Sequence, residues 1–170
     1  FGGDSDRAVW VLFFYLFVYL LASFAVFGVM GLANLKDETE QQFSDYEDLA
    51  KRQPWLGFVL VSGLGSLAGI PPFAGFIAKL LLISIAYEAN LYFSLAAMIV
   101  GVVISIFYYF GWIREITFHP RPTFNDESAE EKEDPWAVIP RMGVFKFSLL
   151  ALTISSLVLG IWQGPFGDAF

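Results

Sequence analysis

The chain is 170 residues long, 56% hydrophobic and 18% aromatic but only 16% charged, with a formal net charge of −7. An ordinary soluble domain is nearer a quarter charged, and here the apolar residues come in long uninterrupted blocks, the pattern of a membrane protein. No basic stripe offers itself to phosphates, which argues against nucleic acid as a partner. The lack of cysteine rules out disulfides and cysteine-held metal or iron–sulfur sites in this chain.

The chain opens on Phe1 in a polar stub, FGGDSDR, that lacks the basic start and small-residue cleavage site of a signal peptide. We therefore expect it to be the interior or C-terminal part of a longer protein. The first apolar block, residues 8–35, carries no charge and is long enough to cross a hydrocarbon core of ~30 Å with some tilt. A polar, acidic stretch, residues 36–53, reads as a loop.

The second block, residues 54–87, is too long for one straight span, because a continuous helix of that length would reach ~50 Å. Its middle supplies a break near residues 69–75, with Gly69, the pair Pro71-Pro72, and Gly75. Two consecutive prolines remove two backbone donors and clash with the preceding turn. The block then reads as two half-helices around an irregular joint. A third span covers residues 91–113, a long polar segment 114–142 follows, and a fourth span covers 143–163. The expected fold is all-α, a polytopic transmembrane bundle of about four spans with the second one discontinuous.

With four spans the two long loops share a face. That face collects Lys36, Lys51, Arg52, Arg114, Arg121, Lys132, Arg141 and Lys146, against Arg7 alone on the other. By the positive-inside rule the loops 36–53 and 114–142 are cytoplasmic, and both ends of the chain lie on the outer face.

Lys79 is the one charge placed deep in a block. Glu88, at the nearest helix end, is nine residues away, or ~13 Å of helical rise, about twice the reach of a lysine stem. A lysine that cannot snorkel to the headgroups normally faces a protein interior or an aqueous cavity and belongs to an ion path. The broken backbone beside it points the same way, since half-helix ends expose the carbonyls and amides that transporters use around ion sites. Ser66, Ser105, Tyr108 and Tyr109 are candidates to line such a path, although aromatic residues near a span's end more often anchor it at the interface. His119, in a polar loop beside Pro120, and the acidic run AEEKED read as solvated. Gly28 and Gly31 form a weak small-residue face for helix packing.

The run SLAGIPPFAGFIAKLLL, Ser66 to Leu82, closely resembles the discontinuous twelfth helix of subunit N of the proton-pumping NADH–quinone oxidoreductases, respiratory complex I. FSDYEDLAKRQPWLG resembles the loop that introduces that helix, ASFAVFGVM the helix before it, and ISIFYYFGWIRE the helix after it. The pattern PP-x-x-G-F-x-x-K favours subunit N over the related subunit M, which has a glutamate in the corresponding place. The resemblance covers nearly the whole chain and places it as the last four of about fourteen helices. It implies an antiporter-like subunit of the bacterial inner membrane that moves protons in step with quinone reduction, with Lys79 on the proton path. It also implies other membrane subunits and lipids as partners, and flavin, iron–sulfur clusters and quinone in those partners, with no cofactor in this chain. The acidic insert, residues 125–134, has no counterpart in the resemblance. Two alternatives share these residues: a cation/proton antiporter subunit of the same superfamily without redox partners, and a structural module in which Lys79 sits in an internal ion pair.

Overall fold

The computed structural model describes residues 2–33, 46, 49–118 and 143–161, and all of its regular structure is helical among these. Six helices follow in order: α1 Gly2–Ala33, α2 Leu49–Arg52, α3 Pro54–Ala68, α4 Ala74–Glu88, α5 Tyr92–Phe118 and α6 Gly143–Ile161. Among the described residues, three apolar stretches are each long enough to cross a membrane, namely Ser5–Leu32, Tyr92–Thr117 and Gly143–Ile161. Helices α3 and α4 have 15 residues each, so either alone reaches only about 22 Å and the two together make the fourth crossing.

Helix α3 is the centre of the bundle. From Leu56 to Ala68 all but Phe58 and Val61 are buried, and the main core gathers Val59, Leu60 and Leu64 against Val26 and Val29 of α1, Ile116 of α5 and Leu149 of α6. Its glycines let neighbours come close. A Cβ on Gly63 would lie 2.8 Å from a Val26 methyl, and one on Gly57 would lie 2.5 Å from the Ala50 backbone. By contrast α5 exposes a continuous apolar side, with Phe93 and Phe107 almost wholly uncovered, as fits a helix at the edge of a membrane bundle.

The helices extend beyond the apolar blocks. The polar start is helical from Gly2, and Arg7 forms an ion pair of 3.1 Å with Glu88, so the start of α1 and the end of α4 share one end of the bundle. At the other end Lys146 lies 5.0 Å above the Trp55 ring, and Tyr46 meets Trp112 at 5.9 Å. Helix α5 continues past residue 113 to Phe118 because Ile116 is drawn fully into the core. Within the stretch 36–53, Tyr46 and Leu49 are buried, and the short helix α2 packs under α3. Gly28 does seat a neighbour, since its Cβ would lie 2.5 Å from Leu149, whereas Gly31 faces open space. His119 and the acidic run lie outside the described residues.

Candidate functional site

The site is built at the end of α3. Gly69 takes the left-handed conformation (φ 80°, ψ 45°) that glycine adopts without a Cβ penalty. The backbone then closes as a Schellman motif: Ile70 N–H donates to Gly65 O at 2.9 Å and Gly69 N–H to Ser66 O at 3.1 Å. A helix leaves its last four carbonyls without intrahelical donors. This cap serves those of Gly65 and Ser66 and leaves those of Leu67 and Ala68. Pro71 and Pro72 have no N–H to offer them, and the chain turns to start α4 at Ala74.

Lys79 serves both. Its Nζ donates to Leu67 O at 2.7 Å and to Ala68 O at 2.9 Å, with a third, longer bond to Ser105 Oγ at 3.3 Å. Ser105 donates its own hydrogen to Val102 O at 2.9 Å, which turns an oxygen lone pair toward the lysine. All three ammonium hydrogens are thus placed, two of them at the negative end of the α3 dipole, where a cation is favoured. Gly69 also makes room, because a Cβ there would lie 2.8 Å from Lys79 Cδ. Among the described residues no carboxylate pairs with Lys79, so the internal ion pair of the structural-module alternative is not present among them.

Beside the lysine, between α1, α4 and α5, lies a cavity of about 330 Å³. Its polar lining is Lys79, Ser105, Tyr15, Tyr19 and Tyr109, with Gly101 opening the α5 wall. Tyr15 and Tyr19 stand one turn apart with ring centres 6.1 Å from each other. A space of this size with several polar partners is ample for water.

The residues singled out from sequence divide between two places. Lys79, Ser105 and Tyr109 meet at the cavity, with Gly69 against the lysine stem. Tyr108 is exposed and packs edge-on against Tyr109 at 5.6 Å, outside the lining. Pro71 and Pro72 form the joint itself, while Gly75 stands inside the first turn of α4. Ser66 does not line the cavity and bonds toward α6 instead. Sequence reasoning missed the two carbonyls, Tyr15 and Tyr19. The i, i+4 spacing of the tyrosines was the one available sign.

A helical membrane bundle with one span broken beside a half-buried lysine defines a class, the polytopic membrane subunits with a discontinuous helix. The chain belongs to the NADH:quinone oxidoreductase/Mrp antiporter transmembrane family, whose model matches residues 4–105. It is 46% identical over 160 residues to NADH-quinone oxidoreductase subunit N 1 of Opitutus terrae, covering 94% of this chain and 31% of that protein. It is 32% identical to NADH-quinone oxidoreductase subunit N of Phocaeicola vulgatus, covering 97% of this chain and 32% of that protein. The chain thus spans about a third of the length of these curated relatives. Among solved structures, the Mrp complex from Dietzia sp. DQ12-45-1b superimposes with a TM-score of 0.71 at 24% identity, over 99% of this chain and 37% of that one. That likeness is one of fold.

Proposed function

We propose that this chain is part of a proton-translocating membrane subunit of an NADH–quinone oxidoreductase and that Lys79 is a relay group on its proton path. The observation that carries the reading is the seat of Lys79, a charged amine at membrane depth on the two spare carbonyls of a broken helix, facing a cavity into which Ser105 and three tyrosines bring polar groups. An intramembrane charge in such a place is a functional group by default. The ammonium places three hydrogens; after giving one to water or a neighbouring carrier the amine has two, and one acceptor loses its donor. Lys79 and the end of α3 thus have two bonding states, and a charge displaced elsewhere in the membrane part shifts the balance between them. Quinone, flavin and iron–sulfur chemistry is assigned to partner subunits. The bias of basic residues supports an orientation with the two long loops on the cytoplasmic side of a bacterial inner membrane and both ends of the chain outside.

The test is redox-driven proton uptake in membrane vesicles carrying the full-length protein with Lys79→Ala, and with Lys79→Arg alongside. Complex assembly is measured in the same membranes. We expect assembly to survive while proton uptake falls by about tenfold or more, the scale of a lost proton-transfer group. Normal uptake by the assembled alanine variant would remove Lys79 from the path.

A second reading, a cation/proton antiporter subunit without redox partners, is kept because the family includes Mrp antiporters. The subunit N relatives favour the first. Ion-driven exchange in vesicles without NADH, abolished by Lys79→Ala, would favour the second.

A further inference from the structure

The lysine occupies one side of the broken span, and α6 closes the other. Ser66, in the last turn of α3, is buried, and its Oγ accepts two hydrogen bonds, one from Gly75 N–H at 3.3 Å and one from Ser156 Oγ at 3.2 Å. The Gly75 N–H belongs to the first turn of α4, where no intrahelical acceptor is available, and Phe73 at the N-cap position makes no side-chain bond to that turn. Ser66 therefore supplies the missing cap from the other half-helix, and Ser156 holds Ser66 in turn. The backbones fit as closely as the hydroxyls. A Cβ on Gly75 would lie 1.8 Å from Ser66 O, and one on Gly160 would lie 2.2 Å from Pro72 O and 2.6 Å from Ala74 N. Ser156 and Gly160 are four residues apart and share one face of α6, while Lys79 follows Gly75 by one turn of α4. A slip of the α4 start against the α3 end would carry Lys79 off its carbonyls.

We propose that α6 positions the lysine. Ser156, through Ser66, and Gly160, against the Pro72–Ala74 backbone, set the register of the two half-helices that keeps Lys79 on Leu67 O and Ala68 O. Ser156 and Gly160 are positioning residues that never meet a proton on the path. Their importance to pumping rests on the relay reading of Lys79, whereas their control of its seat does not.

The experiment reads how position 79 is set against the end of α3. The full-length protein with Lys79→Cys is assembled in its membranes, and the rate of labelling by a water-soluble maleimide is measured. It is then repeated with Ser156→Ala, Gly160→Ala or Gly111→Ala added. Gly111 faces open space and is the control. We expect Ser156→Ala and Gly160→Ala each to change the labelling rate by roughly threefold or more, the size of coupling between sites in one network. Gly111→Ala should leave it unchanged. Ser156→Ala removes one oxygen and adds no bulk, so it keeps the test open should Gly160→Ala fail to assemble. Unchanged labelling with Ser156→Ala overturns the proposal, as does an equal change with Gly111→Ala. The separate pumping measurement on Lys79→Ala decides the relay, so a labelling change beside normal pumping would leave the positioning in place and remove only the relay.

Discussion

The two sides of the broken span are made from the same half-helices and differ chiefly in space. Toward α1 and α5, Lys79 and Ser105 face a cavity of about 330 Å³ lined by three tyrosines. Toward α6, Ser66 and Ser156 meet with no room left, and an added Cβ on Gly75 or Gly160 would overlap backbone. Close-packed interiors are stiff, while a roomy polar space admits water and lets a side chain change partners. A broken span therefore needs both faces. The tight one fixes where two loose helix ends sit, and the open one leaves the lysine room to change partners.

The sharpest way to break this comparison is to add bulk on the tight face. Gly75→Val places a Cβ on top of the Ser66 carbonyl oxygen, and no rotamer moves a Cβ. The cost should exceed the ~1–3 kcal/mol usual for overpacking, and the assembled subunit should be lost from membranes. Wild-type amounts of assembled complex would show that the half-helices part easily and that the tight face is not tight. A smaller effect is expected on the open face. Ser105→Ala removes the longest of the three bonds to Lys79, and water in the cavity can take its place. A net loss of about 1 kcal/mol, or roughly fivefold in proton uptake with assembly unchanged, is the expected result. If Ser105→Ala instead blocks assembly, the open face is as structural as the other.

The break was legible because Pro71-Pro72 and Gly69 can hardly be read otherwise, and Lys79 because its distance from the end of its block at Glu88 is simple arithmetic. The partners of Lys79 were not, for a physical reason. Which carbonyls are spare depends on the hydrogen bonds the cap itself takes, and those follow from the backbone at Gly69. That Ser66, a candidate for the path lining, stands outside the cavity was hidden for a related reason. Near the end of a half-helix one residue turns a side chain by about 100°, so proximity to a break does not say which face it serves. The tyrosines of α1 were hidden in FFYLFVYLL, where nearly every position is large and apolar and no polar face stands out. The burial of Tyr46 and Leu49 was masked by the charged residues around them.

The smallest expected effect lies away from both faces, at the Arg7–Glu88 pair. The contact is 3.1 Å long and joins the start of α1 to the end of α4, so it looks like a tie on the half-helix that carries Lys79. Its side chains are 31% and 54% exposed, however, and exposed ion pairs contribute about 0–1 kcal/mol because water screens the attraction and ordering two long side chains offsets it. The tight face already fixes α4 close to Lys79, whereas this pair acts nine residues further along the helix. Arg7→Gln should therefore lower the thermal stability of the detergent-extracted complex only marginally and leave proton uptake within about a factor of two, consistent with that range. A loss approaching that of Ser105→Ala would mean that α4 is positioned from its far end as well, and the comparison between the two faces of the break would no longer account for where the lysine sits.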